Sequence, residues 1–401
     1  MVFDSLLLLK RGGETVFFGE LGENASQLIQ YFESVPNVTP IEDGYNPATW
    51  MLEVIGAGVG NVTDTAVNFV DTFNRSKQHA CLEAALQESG IGRPKADVQG
   101  AIVTSKRAAS ASVQAKMLLV RFFRAYWRTP SYNLTRIIVS LVVAIVFGLL
   151  FVDVDYNTFQ GINAGVGMIL TTTVFVGLIA LNGVMPITFE ERAVYYRERA
   201  SNAYSAWWYF VAATIVEVPY VFGSTFLFTA VYFPMVGFSG VEQFFQYWFN
   251  LALQTLLQTY MGQFLVFAFP NVQIAAIAGM LINSVFLLFM GVNPPSNAIP
   301  SGYSWLAAIT PQKYTLAVLS ATVFGDCPGG ESSSTGKLGC NTVKMLPPTV
   351  PPNLTVKQFI EAVFEMRHDE IWRNVAIVLC MLFIVRMLGL VALRFINHQR
   401  K

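Results

Sequence analysis

The chain has 401 residues, of which 53% are hydrophobic and only 13% charged, with 32 Phe and 30 Gly. A soluble domain carries about 25% charge, so this balance excludes an ordinary soluble globular protein and identifies a polytopic membrane protein. Lys and Arg number 26, as do Asp and Glu, so no global field favours nucleic acid or an anionic substrate.

Residues 1–9 are followed at once by Lys10 and a turn, which does not read as a cleavable signal peptide. Leu6 to Leu9 and Thr15 to Phe18 read as two short strands around Arg11-Gly12-Gly13-Glu14, where Gly supplies the positive φ of a hairpin. A helix is expected over 24–34, with Leu28, Ile29, Tyr31 and Phe32 on one face, and a short one after Asn46-Pro47. A further helix is expected over 71–87, and 1–89 form a small α/β unit. Residues 90–111, polar and rich in small side chains, read as a linker.

Over 112–130, Met117, Leu118, Val120, Phe122, Phe123, Tyr126 and Trp127 interleave with Lys116, Arg121, Arg124 and Arg128. Such a helix suits a membrane interface, with basic heads toward lipid phosphates. A voltage-sensor reading of those arginines fails, because they precede the apolar span and do not repeat every third residue.

If about 20 apolar residues cross the hydrocarbon, six spans follow, at roughly 133–152, 164–185, 207–234, 244–269, 272–292 and 374–395. The domain is then an all-α membrane domain from 131 to 401. Between the second and third spans lies a charged island, with Glu190, Glu191, Arg192, Arg197, Glu198 and Arg199 inside 189–203. Charge this dense cannot face lipid, and its balance of three acids and three arginines suits docking against a protein partner; the plainer alternative is a solvated loop. Basic residues before the first span, after the second and after the last fall on one side, while the short opposite loops have none. Both termini are therefore expected in the cytoplasm.

Residues 293–373 form the one large loop on the far side. Its part 303–324 is apolar but broken by Pro311 and Lys313, which favours a re-entrant pair of short helices over a full span. Cys327 and Cys340 follow in a Gly/Ser-rich stretch, where a local disulfide fits an oxidising compartment. Asn353-Leu354-Thr355 is the sequon well outside the membrane. The cysteines have no metal-ligand spacing.

Glu217 and Arg386 sit inside spans. Glu217 needs a partner or a proton, because a bare carboxylate at the bilayer centre costs about 2.5 to 3.5 kcal/mol. A structural ion pair or hydrogen bond, for instance to the arginines of the charged island, and a proton relay are the two readings. Arg386 has a stem long enough to snorkel to the cytoplasmic surface.

The stretches LLLLKRGGETVFFGELG, YFE and NPATWMLEV resemble the end of the cassette domain in the pleiotropic drug resistance branch of G-type ATP-binding cassette transporters. FEERAVYYRERASNAYSAWWY, VEVPYVF, GVNPPSNAIP and LRFINHQRK resemble the second transmembrane half of the same branch. The resemblance implies a six-helix ABC-2 type domain behind a cassette remnant. In it Glu190, Glu191, Arg192, Tyr195, Tyr196, Arg197, Glu198 and Arg199 form a coupling helix that touches the cassettes. It also turns the second and fifth spans to a central cavity, making Thr171, Thr172, Phe175, Asn182, Asn283, Phe286 and Met290 candidates for substrate contact. Aromatics and Met there accommodate varied apolar compounds, although on any membrane helix the same residues pack against lipid or neighbours.

No G-x-x-x-x-G-K-[ST] loop occurs in the sequence, so the chain is not expected to hydrolyse ATP by itself. ATP and Mg would belong to the complete transporter, and the partner would be its first half or another half with intact cassettes. This makes the chain a fragment, a truncated gene model, or a half that works with a partner. Its expected setting is the plasma membrane bilayer, and its expected cargo is hydrophobic compounds, drugs or lipids. The alternative, a six-span ion channel or secondary carrier, would call for a pore filter, a charged ring or a matched inverted repeat, none of which the sequence displays.

Overall fold

The computed structural model describes residues 4–10, 12–56, 67–87, 109–294, 299–327, 337–347, 351 and 353–398. They fall into two compact units, 1–104 and 105–401. The expected linker as far as residue 108 and the basic pair Arg400 and Lys401 lie outside the described residues.

In the first unit, strands β1 (Ser5–Leu9) and β2 (Thr15–Glu20) pair antiparallel around Gly12 and Gly13, both at positive φ. Helix α1 (Ser26–Glu33) lays Leu28, Tyr31 and Phe32 on the hairpin's Val16 and Phe17, and the Tyr31 hydroxyl donates to the Val16 carbonyl at 3.1 Å. Asn46 caps α2 (Pro47–Val54) by accepting from the Ala48 amide at 2.9 Å, with Pro47 in the first turn, where its missing N–H costs nothing. Trp50 of α2 closes the core and donates to the Thr39 carbonyl. The single helix expected over 71–87 is two, α3 (Phe69–Asn74) and α4 (Lys77–Gln87). Between them the Ser76 hydroxyl accepts from the His79 amide, so a serine starts a new helix where periodicity alone suggested continuity.

The second unit is helical. Helix α5 (Ala111–Trp127) precedes α6 (Pro130–Leu150), α7 (Phe159–Ala200), α8 (Ala206–Met235), α9 (Val241–Ala268) and α10 (Val272–Leu288). Two short helices, α11 (Ser304–Ile309) and α12 (Pro311–Phe324), then α13 (Val356–Phe364) and α14 (Ile371–Phe395) complete it. Each of the six expected spans coincides with a helix. Four of these, α6, α7, α8 and α14, are both long and apolar enough to cross a membrane. Helix α10 is apolar but 17 residues long, and α9 is 28 residues long but carries Asn250, Gln254, Gln258 and Gln263. Those amides are tolerated because α9 is the central helix, packed by α7, α8, α10, α12 and α14, and buried along most of its length.

Helix α7 runs 42 residues without a break, through Pro186. The charged island is therefore no loop after the second span; 189–200 continue the span's own helix. Proline lacks only one hydrogen bond, to the Asn182 carbonyl, and neighbouring helices hold the rest in place. Close approach does part of that work. A Cβ at Gly262 of α9 would stand 2.5 Å from the Leu181 carbonyl oxygen and 2.8 Å from Val184 Cγ1 of α7, so only glycine lets these two backbones meet.

The break expected at Pro311 separates α11 from α12. At the same end of the bundle Tyr156, Phe238, Phe324, Val343, Val356 and Phe359 form a cap core. Cys327 and Cys340 are bonded, with Cα atoms 5.1 Å apart, and Thr355 and Gln358 form a capping box that starts α13. Asn353 is exposed two residues before that cap, at φ 63°.

Candidate functional site

The charged end of α7 is where sequence and structure part most informatively. Among its eight expected coupling residues, Arg192, Tyr195 and Tyr196 are buried inside this unit, Glu191 and Glu198 are half-buried, and Glu190, Arg197 and Arg199 are exposed. Arg192 donates to the carbonyls of Val266, Phe269 (2.7 Å) and Pro270 (2.7 Å) at the end of α9. A helix C-terminus leaves its last carbonyls without partners and carries partial negative charge, so a guanidinium there satisfies both. Tyr195 packs on Tyr209 of α8, with ring centroids 4.6 Å apart, and the Tyr196 hydroxyl donates to the Ile396 carbonyl at 3.2 Å. The tyrosines are thus spent on this unit's own core, and a partner can meet only Glu190, Arg197, Arg199 and the edges of Glu191 and Glu198.

Arg121 of α5 does not reach for lipid phosphate. Its guanidinium bridges Glu191 at 2.8 Å and Glu198 at 2.6 Å, and Glu198 also accepts from the Tyr204 hydroxyl at 2.6 Å. Burial disfavours the Arg121 charge, but its hydrogen bond to Glu198 and the two carboxylates outweigh it and hold its pKa above the ordinary value. Burial and the Glu198 bond likewise push the Tyr204 phenol up. Leu118, Phe122 and Tyr126 of α5 face inward, so the interfacial helix is bolted to α7 and α8 by one apolar stripe and one arginine. Lys116, Arg124 and Arg128 remain exposed.

Glu217 of α8 is fully buried, and its partner is not an arginine of the charged island. Arg136, in the second turn of α6, places Nη1 3.7 Å from Glu217 Oε2 and donates to Thr259 at 3.1 Å. The hydroxyls of Tyr126 (2.8 Å) and Tyr132 and the amide of Gln263 (2.8 Å) also donate to the carboxylate. Gln263 passes the chain on, because its carbonyl oxygen accepts from Arg386 of α14.

Arg386 does not snorkel: it is 5% exposed, donates to Thr214 at 2.6 Å, and lies between the rings of Phe210 and Tyr260, each 4.2 Å from its Cζ. An inward acceptor set of this quality outcompetes a long reach to water. Arg136, Glu217, Gln263 and Arg386 therefore form one network joining α5, α6, α8, α9 and α14. Sequence reading passed over Arg136; an arginine inside an apolar span, matched against the one carboxylate in another, was the available signal.

The expected substrate-contact residues do not converge. Thr171, Thr172 and Asn182 donate to carbonyls of their own helix α7, and Phe175 packs at a tilt against Phe147 of α6. Asn283 of α10 exchanges hydrogen bonds with Gln258 of α9 and accepts from Gln312 of α12, while Phe286 packs in the cluster around α9. Met290 is buried and lines a cavity of about 570 Å³ together with Lys313, Glu365, Arg367, Glu370 and Arg373.

Comparison with known proteins bears on what this arrangement is. The family model described as "ABC-2 type transporter" matches residues 113–324. The chain is 31% identical over 405 residues to ABC transporter G family member 36 of Arabidopsis thaliana, an alignment covering 100% of the chain and 26% of that relative. It is 30% identical over 402 residues to pleiotropic drug resistance protein 1 of Nicotiana tabacum, with the same coverage. Over 327 residues, 81% of the chain and 22% of the relative, it is 35% identical to ABC transporter G family member 42 of Oryza sativa subsp. japonica. It thus spans about a quarter of the length of these curated relatives. Its helical bundle, its apolar spans and these matches together place it: the chain belongs to the ABC-2 type transporter family, as an integral membrane protein of the G-family, pleiotropic drug resistance kind.

Proposed function

We propose that this chain is the permease half of an ATP-driven exporter of hydrophobic compounds, drugs or lipids, resident in the plasma membrane with both termini cytoplasmic. The observation that carries the reading is the continuity of α7, which joins a buried intramembrane stretch to an exposed charged face in one helix. A cassette that engages Glu190, Arg197 and Arg199 would act directly on a membrane span, with no intervening loop to absorb the motion.

ATP and Mg are supplied by a partner. What supports this reading is that Gly12 and Gly13 lie in a hairpin turn between two strands, not at a strand-to-helix junction whose amides could cradle phosphate. The test uses the complete transporter, with Glu190 and Arg197 reversed in charge. These exposed residues are chosen over Glu191, whose reversal would break the internal bridge to Arg121. Efflux is expected to fall while ATP hydrolysis and surface delivery persist; wild-type efflux in a normally delivered variant would reduce the charged face to a solvated helix end.

A further inference from the structure

Where the end of α7, the start of α8 and the end of α14 meet, they enclose a cavity of about 310 Å³. Arg199 and Arg394 line it from two different helices, and among the described residues no carboxylate does. The nearest acid on α7, Glu198, is already engaged by Arg121 and Tyr204, so it does not neutralise the pair. Arg199 is itself held in place, donating to the Arg394 main-chain carbonyl at 2.8 Å. Asn202 and Ser205 add polar lining, and the Ser205 hydroxyl makes no capping bond with α8. On the membrane side the wall is Trp207, half its surface exposed, and Leu390.

The geometry points to a binding site for the phosphodiester headgroup of an anionic phospholipid from the leaflet at this end of the bundle. Two guanidiniums supply paired donors that suit phosphate oxygens. The volume is at the lower end of the range for small-molecule sites, about 300 to 1,000 Å³, so it takes a headgroup and leaves the acyl chains outside. The indole of Trp207 lies where interfacial aromatics meet the acyl boundary, and the exposed Phe395 beside Arg394 extends the same apolar flank. Occupancy would tie the last turn of α7 to α14 through the lipid, and it does not depend on the transport reading.

The test reconstitutes the full chain in nanodiscs of phosphatidylcholine with phosphatidylserine and counts retained lipid by native mass spectrometry. Arg394→Gln is expected to lower retained phosphatidylserine relative to phosphatidylcholine by roughly tenfold, the loss expected when a charge-assisted hydrogen bond to phosphate is removed. Arg199→Gln should do the same, and Arg394→Lys should recover only part of the binding, because an ammonium keeps the charge but not the paired donors. Arg394→Gln spares the main-chain carbonyl that Arg199 holds, so a folding defect is not built into it. Arg128→Gln, another exposed interfacial arginine, should change nothing. Equal loss in Arg128→Gln would reduce the effect to diffuse surface attraction and overturn the site, as would full retention in Arg394→Gln. Inorganic phosphate that bound the wild-type chain while phosphatidylserine did not would overturn the lipid assignment.

Discussion

Glu217 shows how one side chain commits several helices. Its carboxylate accepts from two tyrosines and a glutamine and faces Arg136, while Arg386 completes the network through Gln263. Glu217→Leu strands two buried guanidiniums with no carboxylate and should cost about 3 to 5 kcal/mol, read as a large drop in Tm in micelles. Glu217→Met combined with Arg136→Met should recover part of that loss, because the double change removes a charge of each sign; a double variant as unstable as the single one would show that Arg136 is not the partner. Asp326 provides a milder case at the cap end of the bundle. Partial burial alone would raise its pKa, but hydrogen bonds from Lys337 (2.7 Å) and Gln243 hold it below the ordinary carboxylate value. A depressed folded-state pKa means its stabilisation is complete above the unfolded value, about 3.9, and fades as pH falls through the folded value. Asp326→Asn should therefore flatten the acid limb of a Tm-versus-pH curve and leave its slope near neutrality unchanged.

At the scale of elements, the positions of the apolar helices were legible because lipid imposes a length and an apolar composition that soluble folds do not, although α7 runs on to Ala200, past the expected end at 185. The hairpin, α2 and the break at Pro311 were legible for a similar reason: each is announced locally, by paired glycines, by Asn-Pro, by a proline in an apolar run. The fate of the charged island was not. Whether Arg192 faces a partner or the carbonyls of Val266, Phe269 and Pro270 depends on where α9 ends in space, and nothing within 70 residues of Arg192 encodes that. Arg386 was misread on the same ground, since its acceptors come from α8 and α9. Two expectations follow for the elements. Gly262→Val should force α7 and α9 apart and cost at least about 1 to 3 kcal/mol, whereas Gly183→Ala, which meets nothing, should be nearly silent in the same melt. Reduction of the Cys327–Cys340 bond should destabilise the outer cap by roughly 3 kcal/mol on the chain-entropy account, and peptide mapping without reductant should recover the two cysteines joined.

For the molecule as a whole, orientation is the testable quantity. A cysteine at Asn202, between α7 and α8, should label from the cytoplasmic side, and one at Met345, 84% exposed beside the outer cap, should label from the opposite side. Labelling of both from one side would overturn the arrangement of spans. Pro186 adds a mechanical consequence. From it to Phe159 the helix extends roughly 40 Å, and to Ala200 roughly 20 Å, so a rigid tilt of α7 about this point would have arms of unequal length. A tilt of roughly 5° there carries the far end roughly 3 to 4 Å, about twice the travel of the charged end. In a tilt of that kind a small stroke at the charged end would be amplified at Phe159.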